Sequence, residues 1–160
     1  MFKLLSSTFY IVVVLFLFSQ CGTINITADD KYQLDPNFAG YKGTLLIVKN
    51  FEDKRQFNHG ADEKVVAAFQ KNYKGEILSI SEAELSKYTD LDKYRFYIKP
   101  EIFGKSMGHT YSGGTNWVSF CYYTMKDRQT QKKYKTKEYP GTTTILEKFP
   151  IAFEALRVSK

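Results

Sequence analysis

The chain has 160 residues, a formal net charge of +6 and an isoelectric point near 9.1. That length suits one core-forming domain rather than several, and so small a positive excess does not mark a dedicated nucleic-acid binder. Its two cysteines, Cys21 and Cys121, cannot form a disulfide framework once either is otherwise engaged.

Met1-Phe2-Lys3 is a short positive start, and Phe9 to Phe18 (FYIVVVLFLF) is unbroken apolar sequence. A spanning helix needs roughly 20 predominantly apolar residues. This core falls short of that even when extended back to Leu4, so residues 1–20 read as a cleaved export signal. Next comes Phe18-Ser19-Gln20-Cys21-Gly22, which resembles the lipobox of bacterial lipoproteins in its looser Bacteroidota form, with Phe18 and Gln20 in place of Leu and a small residue. The resemblance covers the first 22 residues. It implies an acylated, palmitate-bearing Cys21 and attachment to a membrane through that lipid anchor. The implied location is the cell envelope, at the outer membrane, facing the periplasm or the cell surface. Two other outcomes use the same residues: ordinary signal peptidase cutting near Ser19 to Cys21 to free the protein, or an uncleaved anchor.

From residue 21 to 40 the chain is polar and aperiodic, the pattern of a lipidated cysteine on a flexible tether. Residues 41–160 are expected to form a single α+β domain. Thr44 to Val48 (TLLIV) reads as a strand buried on both faces. A helix follows, with Val65, Val66, Phe69 and Tyr73 at helical spacing, Asp62 and Glu63 in its first turn, and Gly75 as its expected cap. Ile77 to Ile80 is a second strand, completing a βαβ unit. Ser81 and Glu84 form a capping box for a short helix over Ala83 to Lys87.

Beyond this the period changes to two, which predicts an antiparallel hairpin or meander. Tyr94, Phe96 and Ile98 alternate with Arg95, Tyr97 and Lys99, and Val118, Phe120 and Tyr122 alternate with Ser119, Cys121 and Tyr123. Between them lies an expected long glycine-rich loop, Gly104 to Thr115. Asp127 to Gln131 reads as a turn, and Lys133, Lys135 and Lys137 as one further strand with a cationic face. A C-terminal helix packed on one face of the sheet is expected from Thr144, with a Thr144/Glu147 capping box and a kink or split at Pro150. This element order, with the turn Lys126 to Lys132, resembles the small α+β domain of the TolB N-terminal region and of the curli-secretion and penicillin-binding-protein-activator lipoproteins. Gln131 stands where that pattern has glycine. The resemblance implies a module that docks onto other envelope proteins.

Candidate chemistry is sparse. Gly104-Lys105-Ser106 imitates the end of a P-loop, but Lys99 sits where the first glycine belongs. His59 and His109 lie in separate loops and are too few for zinc, so no metal and no cofactor is expected. Cys121, within an apolar strand, reads as an inert core thiol. Two features remain. His109, Tyr111 and Trp117 mark the long loop as a candidate binding loop. Lys126, Arg128, Lys132, Lys133, Lys135 and Lys137 form a basic stretch that would suit an anion, although edge strands also carry lysine to block edge-to-edge pairing. Tyr97, Tyr123 and Trp117 are expected at solvent-side positions suited to protein or sugar contact.

The leading expectation is a non-catalytic envelope lipoprotein that binds a protein partner or serves as a structural adaptor, with no role in binding nucleic acid. One alternative is recognition of an anionic glycan or lipid through the basic stretch. Another is a small envelope hydrolase using His109 with Ser106 or Ser112.

Overall fold

The computed structural model of the chain describes residues 34–50, 60–109 and 115–159; the export signal and Cys21 lie outside them. The fold is α+β. Strand β1 (Leu45–Val48), helix α1 (Ala61–Asn72) and β2 (Ile77–Ile80) form the expected βαβ unit, with β1 and β2 parallel. β3 (Phe96–His109) joins β1 in parallel and pairs antiparallel with β4 (Thr115–Asp127). β5 (Lys133–Lys135) and β6 (Tyr139–Pro140) lie along the other side of β4, giving the order β2-β1-β3-β4-β5. Helices α2 (Thr143–Leu146) and α3 (Phe149–Arg157) close the chain.

Period-two alternation divides the sheet into two faces. Leu45, Ile47, Phe96, Ile98, Cys121, Tyr123 and Met125 face the helices, where Val65, Phe69, Leu146, Phe149 and Phe153 complete a buried core. Tyr123 sits at its centre, with its ring centroid 4.9 Å from that of Phe149 and 5.6 Å from that of Phe153. Each fully buried aromatic of this kind contributes about 1.5–3 kcal/mol by burial, and edge-on pairing adds about 0.5–1.5 kcal/mol. On the opposite face a second, smaller cluster forms near β1 and β2, where Leu46, Val48 and Ile80 pack with Leu85, Tyr88, Tyr94 and Tyr97. Leu85 belongs to a 3-10 helix, Glu82–Lys87, at whose start the Glu84 carboxylate accepts from the Ser81 N–H and hydroxyl.

Several expectations are corrected. The domain begins before residue 41: Leu34, Asp35 and Phe38 are buried, and Phe38 packs edge-on against Phe96 and Phe153. The described part of the expected tether therefore contributes Leu34 and Phe38 to the core. Gly75 does not cap α1 through a positive φ; a side chain there would strike the Tyr73 ring. Tyr123 is not at the surface but donates its hydroxyl to the Leu146 carbonyl at 3.2 Å. No Thr144/Glu147 capping box forms, because α2 starts at Thr143 and Glu147 is its C-cap. The split expected at Pro150 is present: the C-terminal helix is in two pieces, with Pro150 in the first turn of α3.

The root of the β3–β4 hairpin is fixed by one buried charge. Asp127, opposite Phe96, has no exposed side-chain surface. Its carboxylate accepts from Arg95 Nη2 at 2.7 Å and Nε at 3.2 Å, and from the Gln129 and Thr130 N–H groups. Burial alone would raise its pKa, yet the Arg95 pairing and the turn N–H groups outweigh it and hold the carboxyl at about 2, against an ordinary 3.8. A depressed folded-state pKa stabilises the fold fully above the unfolded value, and that contribution is lost as pH falls from about 4 towards 2. Asp127→Asn should lower stability at neutral pH by about 3 kcal/mol, the low end for a broken buried pair because Arg95 reaches solvent. Urea titrations across that acid range should show a shallower pH dependence in the variant; equal slopes would remove Asp127 as the source.

Candidate functional site

β3 and β4 run together for twelve paired positions, from Phe96↔Asp127 to His109↔Thr115. β1 meets only Tyr97 and Ile98 of β3, and β6 meets only Phe120 and Cys121 of β4. Beyond the Gly104↔Ser119 pair no third strand among the described residues joins the hairpin, which continues as a two-stranded ribbon for roughly 15–20 Å. The expected loop Gly104 to Thr115 is thus mostly strand, leaving only residues 110–114 as the connection, an ordinary hairpin length. Glycine and serine hid the alternation. Trp117, diagonal to Gly104, lays its ring over the place a Cβ would occupy there, 3.3 Å away, as an aromatic does when it shields a strand glycine. A register shift between Ser106 and His109, with Gly108 at φ +106°, bends the ribbon near its tip.

Among the described residues, large apolar side chains meet solvent in two places: on the ribbon, where Met107 is 61% and Trp117 69% exposed, and at α3, where Ile151 and Val158 are exposed. Of the expected loop residues, Trp117 is on β4, His109 is the last residue of β3, and Tyr111 lies outside the described residues, as do His59 and Ser112. Ser106 is an exposed strand residue opposite Trp117.

The face of the hairpin turned away from the helices is a ladder. Tyr97, Lys126 and Lys133 form one rung, and Lys99, Thr124 and Lys135 the next. Glu101 pairs with Tyr122, Phe103 with Phe120, and Lys105 with Val118. At the upper end Phe103 stacks on Phe120 at 5.9 Å and meets Tyr122 edge-on at 5.6 Å. Lys105 Nζ lies 5.1 and 5.2 Å from the Phe103 and Phe120 centroids, and Lys135 Nζ 3.9 Å from that of Tyr122. Glu138 joins the two ammoniums, 2.5 Å from Lys105 and 2.6 Å from Lys135, and their hydrogen bonds lower its pKa. At the lower end Lys99 pairs with Glu82 at 2.8 Å, which lowers the pKa of Glu82.

The basic stretch is therefore not one surface. Arg128 is structural, donating to the Tyr94 and Leu85 carbonyls at 2.8 and 3.3 Å. Lys132 lies in the turn. Lys137 falls outside β5, because the strand breaks at Thr136, whose hydroxyl accepts from the Tyr123 N–H at 2.9 Å. Lys126, Lys133 and Lys135 share the ladder face, and sequence reasoning missed Lys99, Lys105 and the aromatics beside them. Their period-two spacing on β3 is the signal that would have found them.

No protein-family model and no curated protein matches the chain. Among solved structures it is similar to the PelC dodecamer from Paraburkholderia phytofirmans at 10% identity and TM-score 0.44, over 76% of this chain and 91% of that one. It is also similar to hypothetical protein CT253 from Chlamydia trachomatis at 14% identity and TM-score 0.34, over 62% and 69%. A third is protein XCC0632 from Xanthomonas campestris, at 14% identity and TM-score 0.27, over 80% and 84%. Likeness of this order assigns the chain to no family.

Among the described residues no three His, Cys, Asp or Glu side chains come together as metal ligands, and no helix is long and apolar enough to cross a membrane. Cys121 is fully buried, and that burial pushes its thiol up to about 12, where thiolate is negligible at neutral pH. In a Cys21→Ser chain, Ellman's reagent should label no thiol under native conditions and one after denaturation. Rapid native labelling would place Cys121 at the surface.

Proposed function

We propose that this protein is a non-catalytic cell-envelope lipoprotein that uses the β3–β4 ribbon to hold a protein partner. The ribbon carries the reading. A hairpin that no other described strand joins, with Met107 and Trp117 at 61% and 69% exposure, presents apolar and aromatic surface of the kind that anchors protein contacts. A projecting arm is also costly to keep, since its open edges invite aggregation. The anchor in this proposal is the acylated Cys21. The signal supports it: an apolar core too short to span a bilayer, ending at Phe18-Ser19-Gln20-Cys21. A single thioether-linked diacyl group would then hold the domain at the outer membrane, facing the periplasm or the surface.

Photo-crosslinkable phenylalanine placed at Trp117 in living cells should give a discrete adduct. The same group at Gln70, on the exposed side of α1, should not. Trp117→Ala with Met107→Ala should reduce adducts formed from a neighbouring ribbon position at least tenfold while lowering stability by no more than about 1 kcal/mol, the scale of uncovering a strand glycine. Equal adducts from both sites would reject the ribbon as the contact. Metabolic palmitate labelling tests the anchor separately: it should mark the wild type and miss Cys21→Ser.

A further inference from the structure

The lysines of the ladder face pose a problem that edge protection does not solve. Lys133 and Lys135 lie on β5, which ends the sheet, and outward lysines there deter edge-to-edge pairing. Lys126 has no such role. It is on β4, flanked by Tyr97 of β3 on one side and Lys133 of β5 on the other. Lys99, on the central strand β3, is likewise interior. Two ammonium-bearing side chains directly opposite on neighbouring strands repel each other and cost the fold stability. Elsewhere on this face the cost is relieved: Glu138 neutralises Lys105 and Lys135, and Glu82 pairs with Lys99. Lys126 and Lys133 make no ion pair among the described residues; Lys133 feels Glu82 only at longer range, where it adds to the lowering of that carboxyl's pKa by Lys99.

We propose that this face binds an anionic saccharide, with an acidic group of the ligand seated between Lys126 and Lys133. Charge complementarity gives the sign. The neighbours give the class. Tyr97 and Tyr122, both part-exposed, lie on the same face on either side of the buried Thr124, and Glu101, opposite Tyr122, carries a carboxylate that accepts from the Asn50 amide at 2.8 Å. Ammonium, hydroxyl and carboxylate groups thus succeed one another along β4 and β3. A ligand carrying both acid groups and hydroxyl donors matches that sequence, whereas the uniform negative charge of an anionic lipid surface would also meet Glu101, which has no ion pair among the described residues. From Lys126 to Phe120 the face runs roughly 20 Å, the span of a chain of sugar rings and not of one. The site lies on the side of the hairpin opposite Trp117, so the two can be tested apart.

The test uses the full chain in a non-glycosidic detergent, titrated with a size-defined oligogalacturonate and, as control, a neutral maltooligosaccharide of equal length. The uronate should bind, weakening as salt rises, and the neutral sugar should not. Lys126→Gln with Lys133→Gln should weaken binding at least tenfold; Trp117→Ala should leave it within twofold. Lys133→Glu is the decisive variant. It turns a repulsive cross-strand pair into an attractive one, so it should raise the melting temperature while abolishing uronate binding. Loss of binding with a lowered melting temperature would mean damage to the fold, and Lys126→Gln alone, which only removes repulsion, then decides: unchanged affinity overturns the proposal. No uronate binding, or binding insensitive to these lysines, also overturns it. So does competition only by micelles doped with phosphatidylglycerol, which would assign the lysines to a lipid surface.

Discussion

A long antiparallel ribbon has many registers of similar backbone energy, because every hydrogen bond lost by a slip is regained one residue on. Side chains do not share that indifference: a shift of one residue moves each of them to the other face. In this protein the choice is made at the root of the hairpin, where Asp127 is buried against Arg95 and the N–H groups of its own turn. Any slip would strand that charge in the core, at a cost of several kcal/mol. The two faces of the projecting ribbon are therefore determined at the end where the ribbon is buried. Tyr41 adds a second constraint at the same place, accepting from the Arg95 N–H at 3.1 Å and donating to the Lys93 carbonyl at 2.6 Å. Through it the N-terminal segment Leu34 to Tyr41 becomes part of what holds β3.

With the register set, the hairpin serves two unlike surfaces. On the helix side its inner half supplies Phe96, Ile98, Cys121, Tyr123 and Met125 to the core, and its outer half carries Trp117 over Gly104. On the other side it carries the ladder of lysines, acids and rings. The upper part of that ladder is internally satisfied: Glu138, from the segment between β5 and β6, ties Lys105 on the ribbon to Lys135 on the edge strand. Singly, such half-exposed pairs are worth little. Two of them sharing one carboxylate, with both ammoniums over aromatic rings, hold the base of the arm against the sheet.

How much of this was legible beforehand depended on whether a signal was local. The helix over Ala61–Asn72, the strand at Ile77–Ile80 and the Ser81/Glu84 cap rest on neighbours in sequence, and all are present. So is the special backbone at Gln131, which has φ +60° where a glycine was expected. The ribbon was not legible, because Gly104, Ser106 and Gly108 have low strand propensity and the strand exists only through its ladder with β4. Leu34, Phe38 and Tyr41 were lost in polar surroundings, although their spacing of four and three was there to read. The Thr144/Glu147 pattern misled for the converse reason. Two residue types at the right spacing cap a helix only where the chain begins one, and α2 had already begun at Thr143.

Lysine at every second position is similarly ambiguous in sequence and not in structure. Along Lys133, Lys135 and Lys137 the alternation looks like one strand's solvent face, and for an edge strand that would suffice. The register separates the residues: Lys137 drops out at the Thr136 break, and Lys126 comes in from a strand bonded on both sides. A like-charged pair at directly opposed positions costs on the order of 0.2–1 kcal/mol, in a domain whose whole stability is expected to be about 0.05–0.15 kcal/mol per residue. Exchanging Lys126 for glutamine would relieve that cost without touching the core. Its presence between Tyr97 and Lys133 therefore asks for a benefit outside the folding energy, and an anion shared by the two ammoniums supplies one.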